Sequence, residues 1–347
     1  MHEEAQGHGT LGVDFAAPWS QPVRTRITEL LGIRHPIIQG GLQGLGRAEL
    51  AAAVSAAGGL GLITAASFDD SAELAAEIAR ARELTDRPLG VNLSIGVRRS
   101  MDDHVDCVCD LGIGIVFTLG NNPEPFVDRI KRHAMCWIHV APALRFARKA
   151  QQLGADGVVL VGFEAGGHPG LGDVALSVLV RKASAGLEIP VIAAGGISDG
   201  RSMMAALAWG AHGVQIGTRF VLTRESVLHP NLKHALQRAS EHDTVIIERS
   251  LRKARRVLRT APAEAALALE RQGAGFEQLR HIIGGDAYRE TILHGRIDRG
   301  VLSTGQCIGL FDDVPSAGDV VRRIVDEGAE VLRQLNRMAA PSASGAQ

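Results

Sequence analysis

Eight short apolar runs alternate with stretches of helical periodicity along this chain, and no other feature restricts its fold as much. The runs fall at residues 36–39, 61–64, 89–93, 115–118, 136–140, 157–161, 190–194 and 213–216. Helix candidates lie between them at 48–57, 71–84, 101–111, 124–133, 143–153, 174–185 and 198–209. Strands that are apolar throughout need cover on both faces, so they pair in parallel with helices packed over them. Eight such units close on themselves more readily than they extend an open sheet. The expected fold is therefore α/β, a TIM (β/α)8 barrel over residues 23–230. The rival is a doubly wound sheet, but its dinucleotide fingerprint is imitated only with the wrong spacing by Gly41, Gly44 and Gly46.

The rhythm changes after the eighth strand. Residues 231–300 lack apolar strands and read as helices at 231–240, 244–257, 262–272 and 276–284, a helical insertion expected to lie as a lid over the C-terminal mouth of the barrel. Residues 301–337 then return the chain to the barrel, with an amphipathic closing helix at 317–335. The ends, 1–22 and 338–347, read as flexible tails.

A chain of 347 residues that is 46% apolar can fill a core of this size. Lys plus Arg (37) balances Asp plus Glu (38), and no run is apolar over a membrane-spanning length. The first residues also lack the charged start and apolar block of a secretory signal. Nucleic acid and membrane are therefore not expected partners, and the chain is expected to act on a small molecule in the cytoplasm. Four cysteines, Cys107, Cys109, Cys136 and Cys307, are too few and scattered for a disulfide scaffold. His104, Cys107 and Cys109 imitate half a metal cluster with no second ligand pair following, so no metal is expected.

The chemistry gathers where strands end in glycine. The seventh run passes into Gly195-Gly196 and the eighth into Gly217-Thr218. Two successive strand ends with bare backbone N–H groups and a nearby hydroxyl or helix start make a phosphate cradle; alone, either pair would be a plain turn. The sixth run ends in Gly162-Phe163-Glu164-Ala165-Gly166-Gly167-His168-Pro169-Gly170. Glycines allow a flat ligand close to the backbone, and His168 places one titratable imidazole beside it. The alternative for His168 is a structural histidine in a turn. His139 on the fifth strand faces either the mouth or the barrel wall, and the cations between Arg249 and Arg259 form a solvated helix face unless they line the mouth.

From about Arg24 to Arg337 the sequence resembles the nitronate monooxygenase family, formerly the 2-nitropropane dioxygenases. The matching motifs are His35-Pro36-Ile37-Ile38-Gln39-Gly40-Gly41, Ala56-Ala57-Gly58-Gly59-Leu60-Gly61, Gly90-Val91-Asn92-Leu93, Glu164-Ala165-Gly166-Gly167-His168, Ala194-Gly195-Gly196 and Gly217-Thr218-Arg219-Phe220. NAD(P)H:quinone reductases and flavin-dependent enoyl-ACP reductases share the framework. The resemblance implies bound FMN: Gly40, Gly41 and Leu42 against the isoalloxazine, Asn92 on its polar edge, Gly166 and Gly167 beside the ring, and Ala194, Gly195, Gly196, Gly217 and Thr218 at the phosphate. It implies oxidation of an alkyl nitronate by O2, with His168 as the catalytic residue that holds the anion or removes the α-proton of a nitroalkane. The alternatives are an NAD(P)H-driven quinone or enoyl-thioester reductase, with NADH or NADPH as co-substrate, and a flavin-free phosphosugar barrel. A homodimer is compatible with each. The sequence departs from the family at Val140, where a Lys often stands, at Val161, where an acidic or amide residue often stands, and in the loop at 94–99. Tyr288 is its single tyrosine, so tyrosine-rich substrate contacts are reduced.

Overall fold

The computed structural model describes residues 23–96 and 101–339. Residues 97–99 of the loop after the third strand and the proposed tails at 1–22 and 340–347 lie outside the described residues. The strands are β1 (Ile37–Gln39), β2 (Gly61–Thr64), β3 (Leu89–Ile95), β4 (Ile115–Gly120), β5 (Cys136–Ala141), β6 (Gly157–Val161), β7 (Val191–Ala194) and β8 (Gly213–Ile216). Every neighbouring pair is parallel, in the order β1-β8-β7-β6-β5-β4-β3-β2. The two edges meet through a parallel bridge of Ile38 with Leu60, where Gln39 N donates to Leu60 O and Leu60 N to Ile37 O, both at 2.9 Å. The sheet is thus a closed TIM barrel, and the doubly wound alternative is ruled out.

The helices preceding the insertion are α1 (Arg26–Leu31), α2 (Ala48–Ala56), α3 (Ser71–Leu84), α4 (Asp102–Asp110), α5 (Glu124–Arg132), α6 (Leu144–Gln152), α7 (Leu176–Ser184), α8 (Gly200–Ala208) and the single turn α9 (Thr218–Val221). Helix α1 has no counterpart among the sequence expectations. Its Ile27 and Leu31, with Ile33, close the N-terminal end of the barrel against Ile38, Leu60, Leu62, Ile115, Phe117, Ile138, Val159 and Ile192, the side chains that fill its interior. The outward-facing residues of the same strands pack under the helices in a separate core, as the two-residue pleat requires.

After α10 (Pro230–Gln237) the structure departs from expectation. Residues 244–257, read above as a helix, form an antiparallel hairpin of β9 (Thr244–Ile247) and β10 (Arg255–Leu258), so the basic segment is not a helix face. Its β-branched run Val245-Ile246-Ile247 favours strand, and its turn is built from two non-glycine residues in the left-handed region, Glu248 (φ 69°) and Arg252 (φ 55°). The Glu270 carboxylate accepts from the N–H groups of Glu248 (2.6 Å) and Ser250 (3.2 Å) and holds that turn. The insertion continues through α11 (Ala261–Arg271), α12 (Phe276–Ile283) and α13 (Gly285–His294), the last of which the sequence reading left unassigned.

Helix α14 (Ala317–Ala339) extends two residues into the stretch expected as a tail. It buries Val320, Val321, Ile324 and Val325 in the outer core, and its Glu327 carboxylate accepts from Gly200 N of α8 at 2.8 Å. It therefore occupies the outer-helix place that follows β8. Among the described residues no helix is long and apolar enough to cross a membrane. His104 is buried on α4 with Nε2 3.3 Å from Phe68 O, and Cys107 Sγ donates to Ser71 O at 3.4 Å, so each is tied to a main-chain carbonyl of the segment preceding or opening α3.

Candidate active site

Strand register identifies the floor of the C-terminal mouth. Continuing the inward-facing positions to the strand ends gives Gly40, Thr64, Asn92, Leu119, Val140, Val161, Ala194 and Gln215 for β1 to β8 in turn. The polar members, Gln215, Thr64 and Asn92, are grouped around Gly40, while β4 to β7 contribute Leu119, Val140, Val161 and Ala194. Three of the eight positions are polar and flank Gly40, and the other four are apolar. Both departures from the family pattern, Val140 and Val161, pack against the barrel-filling cluster, so the lost polar groups are lost from this floor.

His139 faces the other way. It lies on the outer surface of β5, 5% exposed, hydrogen-bonded through Nδ1 to Thr118 Oγ1 at 2.9 Å and edge-on to Trp137, whose Nε1 donates to the same hydroxyl at 2.8 Å. Burial pushes its pKa down to about 4. It is a neutral histidine of the barrel wall.

The loop after β1 is pinned from three sides. Leu42 N donates to Thr64 Oγ1 (2.9 Å), Gly44 N to Ser67 Oγ (2.8 Å), and Tyr288 of α13 donates its hydroxyl to Gln43 O (2.6 Å). Gly41 lies tight against Asn92: a Cβ there would sit 2.5 Å from Asn92 Cγ. Two expected cofactor contacts, Gly41 and Asn92, are therefore neighbours. Gln215 carries a buried Oε1 with no hydrogen-bond partner among the described residues, next to Gly40.

The ends of β7 and β8 offer donors. Gly195 and Gly196 have φ of 112° and 73°, a left-handed pair that side chains would strain. The N–H groups of Gly196, Gly217 and Thr218 meet no backbone acceptor among the described residues. Helix α8 contributes less than the sequence suggests, because Asp199 already caps Ser202 N (2.7 Å) and Glu327 takes Gly200 N. The Thr218 hydroxyl is also engaged, accepting from Gly305 N at 2.9 Å. What remains for an anion is the bare backbone of two adjacent strand ends, a donor set whose chemistry suits a phosphate monoester.

The turn after β6 is bound by the insertion and the return segment. Gly167 and Arg256 of β10 exchange main-chain hydrogen bonds (3.0 and 2.7 Å), Thr304 N donates to Arg256 O (3.3 Å), and Gln306 N donates to Glu164 O (3.0 Å). A Cβ on Gly166 would lie 2.6 Å from Gly305 N, so this glycine admits the return segment as a direct packing partner. Gly167 is open on the corresponding side, and His168 beyond it is exposed. Thr64 and Gln215 escaped the sequence reading although strand alternation marks them as inward-facing; Tyr288, Gly305 and Arg256 have no local signal, since only the tertiary fold brings them to the mouth.

These features define a (β/α)8 barrel whose β7 and β8 ends leave backbone N–H groups without backbone acceptors, with the segment after α9 hydrogen-bonded to the loops at its C-terminal end. The chain belongs to the nitronate monooxygenase family of oxidoreductases, whose family model matches residues 24–327. It is 33% identical to the (3aS,4S,5R,7aS)-5-hydroxy-7a-methyl-1-oxo-octahydro-1H-indene-4-carboxyl-CoA dehydrogenase of Mycobacterium tuberculosis, over 87% of this chain and 95% of that protein. It is 34% identical to a probable nitronate monooxygenase of Staphylococcus saprophyticus, over 64% of this chain and 75% of the other. Among solved structures, FabK from Thermotoga maritima superposes with a TM-score of 0.86 at 38% identity, covering 91% of this chain and 99% of its own.

Proposed function

We propose that this protein is an FMN-dependent oxidoreductase that oxidises an alkyl nitronate with O2. The observation that carries this reading is the set of uncommitted N–H groups at Gly196, Gly217 and Thr218 beside a glycine turn bearing the exposed His168. Bound FMN would supply the redox chemistry between substrate and dioxygen. Gly40, Gly41 and Leu42 would let the ring approach the backbone, Asn92 would fix its polar edge, and Ala194, Gly195 and Gly196 with Gly217 and Thr218 would hold the phosphate. Gly166 and Gly167 would lie beside the ring, next to His168. His168 donates a hydrogen bond to the nitronate oxygens, or in its neutral form accepts the α-proton of the parent nitroalkane. The insertion at 231–300, joined to the mouth through Arg256 and Tyr288, limits access of water.

A second reading is favoured by the near full-length match to a carboxyl-CoA dehydrogenase and by the apolar half of the floor at Leu119, Val140 and Val161. In it His168 would face the carbonyl oxygen of a thioester, whose enolate is a planar conjugated oxyanion like a nitronate, with NADH or NADPH as co-substrate. One experiment separates the two. The purified protein is mixed anaerobically with propionate 3-nitronate, NADH or NADPH, and the flavin band is followed. Bleaching by the nitronate is expected; bleaching by a nicotinamide alone, reversed by an enoyl-CoA, would replace the first reading with the second. A protein that takes up no FMN would sink both.

A further inference from the structure

Arg256 is 3% exposed and makes no ion pair among the described residues, although the Glu164 and Asp173 carboxylates lie near enough to favour its charge. Its guanidinium is committed to the turn that carries His168. Nε and Nη2 both donate to Phe163 O (3.2 and 2.9 Å), Nη1 donates to Thr244 Oγ1 (3.0 Å), and the plane stacks 4.5 Å over the Phe163 ring. The main chain of Arg256 grips the other end of the same turn at Gly167. A guanidinium this buried, reached by Glu164 and Asp173 only without direct ion pairing, costs stability that an apolar side chain of similar volume would not, so packing alone does not account for an arginine here.

The turn needs such a grip. It contains Gly162, Gly166 and Gly167, the last at φ 81°, and glycine backbone has no strong conformational preference of its own. Its carbonyls at Phe163, Glu164 and Gly167 all accept from outside the barrel: from the Arg256 side chain, from Gln306 N and from Arg256 N. We infer that Arg256 is a positioning residue for His168, through which the insertion sets where the imidazole stands over the mouth. This rests on the reading of His168 as the anion-holding residue.

The test uses the FMN-loaded full chain and nitrate, an inert planar oxyanion, titrated while the flavin absorbance is recorded. Nitrate should perturb the spectrum of the unaltered protein and bind roughly tenfold or more weakly to Arg256→Met, the loss that follows when a charged-group hydrogen bond is misplaced. Arg256→Lys, which keeps the charge but not the bidentate grip, should fall between. In a His168→Ala background, Arg256→Met should cost less than about twofold further, because coupled residues are not additive. Hydrogen exchange over residues 162–168 should quicken in Arg256→Met at unchanged flavin content, and Arg256→Lys carries the test if the methionine variant does not fold. Equal nitrate affinity in the unaltered protein and both Arg256 variants, or an equal loss with and without His168, would overturn the inference. No response to nitrate in the unaltered protein would overturn the anion-holding reading beneath it.

Discussion

Gly217→Ala tests the phosphate cradle with little interference from the fold. A methyl at Gly217 meets only Leu42 Cδ2, at an ordinary 3.7 Å, and the φ of −107° is open to alanine. The apo protein should therefore keep its stability, or gain about 0.4–1 kcal/mol from a less flexible unfolded chain. The ligand should feel the change, because the methyl stands on the backbone whose N–H groups would hold the phosphate. Loss of one hydrogen bond to a charged group costs about 1.5–3 kcal/mol, which is roughly a 10- to 150-fold rise in Kd. The assay is quenching of flavin fluorescence on titrating apo protein with FMN and, separately, with riboflavin, which has the ring but no phosphate. FMN affinity should fall by that factor while riboflavin affinity changes less than about twofold. Equal losses for both flavins would place the phosphate elsewhere, and no loss for either would refute the cradle.

His168→Ala should retain stoichiometric FMN while turnover falls by about two to four orders of magnitude; unchanged steady-state rates would make the residue structural. His168→Asn, which can donate but not accept a proton at neutral pH, should recover activity with preformed nitronate and not with nitroalkane if proton abstraction is its task. His139 gives a pH dependence of stability. Its folded pKa of about 4 lies below the unfolded value of 6.5, so the unfolded chain takes up a proton that the folded one refuses, and stability present above pH 6.5 is lost as pH falls toward 4. The loss should amount to about 3 kcal/mol. Urea unfolding at pH 7 and 4.5 should show a smaller difference in His139→Gln, where His35, shifted in the same direction, still contributes; identical differences would contradict the assignment.

The barrel was legible because each of its strands is a short apolar run cut off by glycine or proline, and parallel pairing follows from burial on both faces. The hairpin was not. Glu248, Arg249, Arg252 and Lys253 sit where a turn signal would be expected, and the left-handed conformations of Glu248 and Arg252 are maintained by Glu270, whose place near them is a product of the fold. The orientation of His139 was within reach of sequence, since Trp137 and His139 share one parity of β5 while Ile138 and Val140 share the other. The engagement of the Thr218 hydroxyl was out of reach, because Gly305 lies 87 residues away along the chain.

That last contact bears on how this architecture can be cut and recombined. Thr304, Gly305 and Gln306 are hydrogen-bonded in succession to β10, to Thr218 at the start of α9 and to the turn after β6, with Gly166 left bare to admit them. The insertion is consequently not a detachable module spliced between α9 and α14. A chimera that exchanges residues 231–300 for another cover, while leaving the β6 turn and the return segment native, would inherit a seam whose other half was shaped for Arg256. Transplants should therefore carry the β6 turn, the hairpin and the Gly305 segment together as one block, although they are far apart in sequence. Recombination libraries drawn with crossover points between them should yield folded barrels far less often than libraries in which the three always travel together.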